Sequence, residues 1–430
     1  MFRVPSDCVM TPEFLAEYMG KHKAEVARRF LPLYDAYCNE YKILRLDKKP
    51  GWKPDNRIPV NYAKYIVDTM NGFFIGIPVK VFSDDDVVSR YVNFLDQYND
   101  QDDNNAELSK VCSIFGCGFE MYYVDDSGQV CIAFLSPIDS FMIYDEGIVP
   151  KPLFFIRHYL DANNEEHGSW SDGRVVQHFV NRGSYRWVDE PVLHGFDGVP
   201  AVEFVENEER RGIFEDVLPI IDEYNKAISE KANDVDYFAD AYLKVLGASL
   251  RQEDLDQLRR NRIINLEGDV SGITVDFLQK PNADATQENL INRLEKLIFQ
   301  ISMVANISDE NFGTSSGIAL KYKLKTMSDH AKAKERKFTS GMNRRYKLIF
   351  SNPVSSMPKD SWTTISYKFT ENFPANLQEE AEIAKNLEGV VTRKTQLSVL
   401  SVVDDAKSEA DAVDAELVQA PMTGAVNEQQ

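Results

Sequence analysis

Residues 308–338 read SDENFGTSSGIALKYKLKTMSDHAKAKERKF and set a break directly against a long helical pattern. Gly313 and Gly317 give the first ten residues the backbone freedom of a pliant loop. From Ile318 the chain runs on as IALKYKLKTMSDHAKAKERKFTSGMNRRYKLIF, one helix with ten bases (Lys321, Lys323, Lys325, Lys332, Lys334, Arg336, Lys337, Arg344, Arg345 and Lys347). Its acids are Asp329 and Glu335, in a chain of net charge -20. A loop before a basic helix suggests phosphate, but the spacing excludes a phosphate loop. That motif needs four residues between its glycines and then Lys and Ser or Thr; here three residues separate Gly313 from Gly317, and Ile318 follows. No G-x-G-x-x-G occurs either.

Upstream, DATQENLINRLEKLIFQISMVANI is a second long helix. Asp284 with Gln287 resembles a capping box, and Leu290, Leu294, Leu297, Ile301 and Val304 make the apolar stripe. Before it, helical periodicity runs from about Pro219 to Leu246, roughly 40 Å of helix. Ile220, Ile221, Tyr224, Ile228, Val235, Phe238 and Tyr242 favour one side of it. Asp216, Glu223, Glu230 and Asp234 fall within about 20° of one line, either a solvated face or an anionic wall. Between the two helices lies a small block holding a short helix with Arg251, Arg259, Arg260 and Arg262. Two strands follow, RIINLEG and ITVDFLQ. At fewer than about 40 residues it cannot fold alone and must lean on neighbours or on other copies of itself. The plan is a stalk and a tip.

Residues 1–212 read as one α+β region. Thr11 caps a helix with Pro12 in its first turn, and Pro32 interrupts it. A second helix stops near Gly72 or Gly76, and VDDSGQV turns a hairpin between alternating runs. LFFIRHYL, VVQHFVN, SYRWV and PAVEFVE continue as strands. SDDD at 83–86 is a solvated helix start and DDNN at 102–105 a polar turn. After Pro358 come a strand in WTTISYKFTENF, a helix boxed by Asn376 and Glu379 and stopped at Gly389, two further helices and a tail.

Composition bounds the function. The 430 residues, 43% hydrophobic and 11% aromatic, suit an ordered chain of two to four domains. The acidic balance argues against a broad grip on nucleic acid, whose binders are basic, but allows transient handling. Five cysteines (Cys8, Cys38, Cys112, Cys117, Cys131) without regular spacing fit free thiols in a reducing compartment, not a disulfide frame or zinc. No signal core and no apolar run of about 18 residues is present. The six histidines lack metal spacing, and no G-x-S-x-G elbow occurs. No catalytic residue, metal site or cofactor is therefore expected.

Four stretches, in order, resemble the portal proteins of tailed bacteriophages, in the branch typical of long-tailed phages of Gram-positive hosts. They are NRIPVNYAKYIVDTMNGFFIGIPVKV (56–81), LPIIDEYNKAISEKANDVDYFADAYLKVLG (218–247), the opening stretch, and TQLSVLSVVDD (395–405). The resemblance implies an α+β, mainly helical subunit with wing, stem, clip and crown around a central channel. Carried onto this chain, residues 1–212 are wing, 213–246 and 285–306 stem helices, and 247–284 clip. Residues 307–317 are the tunnel loop, 318–374 wing again, 375–417 crown and 418–430 tail.

The resemblance also implies a non-enzymatic ring, commonly dodecameric, at one capsid vertex of the virion, assembled in the host cytoplasm. Double-stranded DNA passes through such rings in packaging and ejection, and a separate terminase supplies the ATPase. Terminase and later a head-tail adaptor dock on the clip, and major capsid and scaffold proteins are further partners. Asn311, Phe312, Gly313, Thr314, Ser315, Ser316 and Gly317 then become the DNA-touching loop. Asp216, Glu223, Glu230 and Asp234 become channel-lining candidates. Arg251, Arg259, Arg260 and Arg262 become partner-docking candidates. Lys321, Lys323, Lys325, Lys332, Lys334, Arg336 and Lys337 are expected to pair with acids of an adjacent subunit, the alternative being that some face DNA or inner-capsid protein. The competing readings are a coat or scaffold component without a channel, and a Mg²⁺-dependent nucleic-acid-processing enzyme using converging carboxylates.

Overall fold

The computed structural model of the chain describes residues 1–51, 53–239, 243–246, 274–277, 284–307, 317–372, 377–400, 402–403 and 406–419. It is a mixed α/β protein, about half of it helical. Helix α1 (Pro12–Glu25) starts where Thr11 accepts the Phe14 N–H at 3.2 Å. Pro32 does not interrupt it as expected. The chain passes through a π-helical turn, Val26–Phe30, into α2 (Leu31–Tyr37), and Pro32 stands in the first turn, where its missing N–H is tolerated. Helix α3 (Tyr62–Ile75) is capped by Asn61 and ends at Gly76. The SDDD stretch is a helix start, Asp85 accepting the N–H groups of Val87 and Val88 at the head of α4 (Asp86–Tyr98). DDNN is not a turn: it lies inside α5 (Gln101–Phe115), and Asn105 is buried.

Two sheets complete the N-terminal region. A seven-stranded sheet contains β1 (Phe2–Val4), β5 (Ser140–Asp145), β6 (Pro152–Leu160), β7 (Glu166–Ser171), β8 (Val175–Asn181), β9 (Tyr185–Trp187) and β10 (Val192–Leu193). Its order is β1-β5-β6-β7-β8-β10, with β9 also on β8; only the β1–β5 pair is parallel. Strand β7, EHGSWS, lacks β-branched alternation and was not anticipated; Gly168 sits there because a Cβ would meet the Phe179 ring at 2.3 Å. The second sheet has β3 (Cys117–Val124) between β4 (Val130–Leu135) and β11 (Ala201–Val205), all antiparallel. The expected hairpin is the β3–β4 turn, held by the Asp125 carboxylate accepting from Ser127 and Gln129.

After residue 212 the helices lengthen. Helix α6 (Leu218–Ala239) ends seven residues before the expected stop at Leu246. Leu243–Leu246 is instead strand β12, antiparallel to β13 (Thr274–Phe277). Its sequence, LKVL, carries three aliphatic residues, one of them β-branched, that serve either structure, and pairing with β13 decides. The first expected strand of the small block, RIINLEG, and the four arginines expected to dock partners (Arg251, Arg259, Arg260 and Arg262) lie outside the described residues. Helix α7 (Asp284–Ser302) follows, then α8 (Gly317–Ser351), 35 residues long. Strand β14 (Ile365–Lys368) returns to pair with β2 (Lys80–Ser83), and α9 (Leu377–Asn386), α10 (Arg393–Leu397) and α11 (Ala406–Gln419) close the described chain. Asn376 of the expected capping box is outside the described residues.

The main core packs α3, α5 and α8 with the three-stranded sheet, through Ile66, Met70, Leu108, Phe204, Phe338 and Met342. A smaller core lies between α1 and the large sheet, around Leu15, Met19, Ile143, Ile156 and Phe179.

Candidate functional site

The two helices of the expected stalk pack antiparallel. Lys231 of α6 pairs with Glu288 of α7, and Gln287 donates to Asp234 Oδ2 at 2.7 Å. Gln287, expected to face Asp284 in a capping box, thus reaches across to the neighbouring helix. Ile221 and Tyr224 of α6 and Ile291 and Ile298 of α7 are buried. Tyr62 of α3 places its ring edge against both Tyr224 (5.1 Å) and Phe299 (5.5 Å), tying the pair to the N-terminal region.

The four acids expected along α6 are not a bare wall. Asp216, which precedes the helix, accepts from Arg211 at 2.5 Å. Glu223 stands 3.6 Å from Lys226, Glu230 2.7 Å from Lys49, and Asp234 takes the Gln287 amide. Their side chains nevertheless reach solvent, Asp216 and Glu223 being 66% and 64% exposed.

A neighbouring face of α6 holds something the periodicity did not reveal. Asn225, Ser229 and Asn233 are buried, and their oxygens accept the backbone N–H groups of Val60 (2.9 Å), Ile58 (2.9 Å) and Asn56 (2.6 Å). Four residues of helix advance about 6 Å and two residues of extended chain about 6.6 Å, so the two repeats stay in step over three rungs. Lys42 with Asp222 (2.9 Å) and Lys49 with Glu230 fasten the same connector. Three small polar residues at four-residue spacing were the available signal.

The junction entering α6 is equally fixed. The Arg29 guanidinium donates to the carbonyls of Phe115 (3.0 Å) and Arg210 (2.5 Å) and to Glu215 (2.8 Å). Gly116 has φ +87°, and a Cβ there would lie 2.0 Å from the Arg210 carbonyl; one on Gly212 would lie 2.2 Å from that of Ile114. Neither position admits a side chain.

Helix α8 turns two of its bases inward. Lys334 Nζ lies 2.7 Å from Glu206, 2.6 Å from Ser113 Oγ and 3.1 Å from the Ser109 carbonyl. Burial works against ionisation of Glu206, but the Lys334 ammonium and His330 outweigh it and hold the carboxyl below its usual range. Arg345 donates to both Glu120 oxygens (2.9 and 2.6 Å) and to Asn105 (2.6 Å), which Gln101 also supports. Beside this cluster, burial pushes the Asp96 carboxyl up to about 6, against the pull of Arg345.

The expectation that these bases face an adjacent subunit is therefore corrected for Lys334, whose charge is satisfied inside its own chain. Lys325 pairs with Asp329, Lys332 with Glu335 and Lys337 with Glu208 at the surface. Arg336 is exposed, and Lys321 and Lys323 fall in the first turns of α8. Gly317 is the first residue of α8; Asn311, Phe312, Gly313, Thr314, Ser315 and Ser316 lie outside the described residues, as do Arg251, Arg259, Arg260 and Arg262.

Among the described residues, Asp161, Glu165 and His167 at the β6–β7 turn bring metal-ligand atoms within 4.8 Å. Asp161 already accepts the N–H groups of Asn163 and Glu165, and Glu165 pairs with Arg182. These are the bonds of a surface turn. No described helix is long and apolar enough to cross a membrane.

The geometry is that of a clamped helix pair with its acids toward solvent. A family model described as "Phage portal protein, SPP1 Gp6-like" matches residues 17–420. A portal protein of Clostridium phage phiCD119 is 23% identical over 428 residues, covering 89% of this chain and 92% of that protein.

Proposed function

The chain belongs to the SPP1 Gp6-like family of phage portal proteins, and on that premise we propose that it forms a ring, of twelve copies as is usual in such proteins, at one capsid vertex. Double-stranded DNA crosses this ring during packaging and ejection. The observation that carries the reading is the family match across residues 17–420, which takes in the α6–α7 pair, the long basic helix and the C-terminal helices together.

In this reading α6 and α7 are the stem. The exposed carboxylates of Asp216 and Glu223, with Glu230 and Asp234, repel phosphate, so that DNA slides without sticking. The loop Asn311–Gly317 touches DNA transiently through short polar groups and one aromatic ring. Arg251, Arg259, Arg260 and Arg262 dock terminase and afterwards a head-tail adaptor. The terminase supplies the ATPase, and this chain catalyses nothing and takes no cofactor. Major capsid and scaffold proteins surround the ring in the virion, and assembly takes place in the host cytoplasm.

Negative-stain electron microscopy of the purified full chain tests the reading. Discrete rings with a hole of about 20 Å or more, wide enough for duplex DNA, are expected. Shells or sheets would mark a coat protein. A compact particle with Mg²⁺-dependent nuclease activity, abolished by one carboxylate-to-alanine change, would mark an enzyme.

A further inference from the structure

The solvent side of α8 carries Lys325, Asp329, Lys332, Arg336, Ser340, Arg344 and Lys347, all exposed, at spacings of three and four. Lys325 and Lys332 have carboxylate partners in the same helix. Among the described residues, Arg344 donates to the carbonyls of Ser340 and Glu203 and to no carboxylate. Arg336 and Lys347 have no carboxylate partner among the described residues. A chain of net charge -20 thus leaves a line of three unneutralised cations on one helix face.

Helix α4 offers the converse. Val87, Phe94 and Tyr98 follow one another at seven and four residues and are 52%, 44% and 42% exposed, with Phe82 of β2 50% exposed beside the helix start. The rings of Phe94 and Tyr98 lie 5.6 Å apart. Acids bracket this apolar stripe: Asp84 and Asp86 at its head, and Asp102 and Asp103 just past its end, all exposed; Arg90 is its one cation. From Val87 to Tyr98 and from Arg336 to Lys347 is the same eleven residues, about 16 Å of helix in each case.

We propose that these two faces meet between copies: the Arg336–Arg344–Lys347 line of one subunit lies on the Val87–Phe94–Tyr98 stripe of the next. The inference rests on the ring proposed above. Guanidinium and ammonium groups bind aromatic faces, and their methylene stems cover apolar surface while the heads reach the flanking carboxylates. Arg with aromatic anchors is the composition of interface centres. The two surfaces are different patches of one chain, so the contact is heterologous and repeats head to tail, as a closed ring requires. Complementary charge within the chain itself favours a second copy over DNA, which would satisfy the cations and leave the α4 stripe bare.

The test is a charge-swap cycle on the full chain, read by mass photometry at fixed concentration, with melting temperature as the folding control. Arg336→Glu with Lys347→Glu, and separately Asp84→Lys with Asp86→Lys, are expected to lower the ring fraction at least tenfold at unchanged melting of the subunit. Combining all four changes is expected to restore it. Rings that persist in the first pair, or a loss that the combination does not restore, overturn the inference and leave the portal reading standing. Persisting rings that no longer retain duplex DNA overturn it in favour of a DNA contact. A wild-type chain that forms no ring overturns the portal reading and this inference together.

Discussion

Arg345 Nη2 and Glu120 Oε1 lie 2.6 Å apart with both side chains fully buried, 225 residues apart in the chain. The pair joins α8 to β3 across the main core. A buried ion pair gains little over a well-packed apolar pair, but a broken one leaves a charge without water or partner. Arg345→Met is expected to cost about 3–5 kcal/mol. Arg345→Met with Glu120→Leu recovers most of that loss, and urea midpoints of the two variants measure the difference.

Lys334 and Glu206 form the second such pair, with side chains 1% and 0% exposed. Lys334→Met is expected to destabilise by a similar amount, about 3–5 kcal/mol, whereas Arg336→Ala, at an exposed position, changes stability by less than about 0.5 kcal/mol. Thermal melts of the two variants distinguish an internal counter-ion from a surface base on the same helix.

The three-rung ladder on α6 fixes the connector to that helix. Ser229→Ala and Asn233→Ala each orphan a backbone N–H, of Ile58 and Asn56, and are expected to cost about 1–3 kcal/mol each. Limited proteolysis is the specific readout, with faster cleavage within 46–60 than in the wild type.

Gly116→Ala places a methyl group against the Arg210 carbonyl at positive φ. A loss of about 2–4 kcal/mol is expected. An alanine at Gly183, also at positive φ but with open space around it, costs less.

Burial, with His158 beside it, lowers the His22 imidazole to about 4. The unfolded chain binds a proton from about pH 6.5 downward that the folded chain refuses until about pH 4, so this group makes stability fall as pH drops through that window. His22→Gln is expected to remove this pH dependence, about 3 kcal/mol between pH 7 and pH 3. Asp96 tilts the other way: its folded carboxyl keeps a proton to about pH 6, so Asp96→Asn stabilises at pH 7 and changes nothing below about pH 4. Melting temperature against pH for both variants separates the two slopes.

Local chemistry determined the elements that end on their own signals. Thr11 before Pro12, Asp85 before α4 and the Asp125 turn each act within a few residues, and the sequence reads them directly. The stripe expected on α7 is corrected: Leu290 and Ile301 are exposed, and Ile291 and Ile298 are buried in the main core instead. The ordered stretches at 56–81, 218–247, 308–338 and 395–405 were also enough to point to the portal family. Tertiary structure alone decided which polar residues go inside. DDNN reads as a turn because Asn105 is polar, yet it is buried because Arg345, 240 residues away, needs its oxygen. Lys334 and Arg345 read like the other bases of α8 because helix periodicity gives a position a direction but not a partner. Whether that direction meets water or a carboxylate depends on strands and loops more than a hundred residues distant. The end of α6 follows the same logic: Leu243–Leu246 extends the helical pattern, and the strand it becomes exists because Thr274–Phe277 lies alongside.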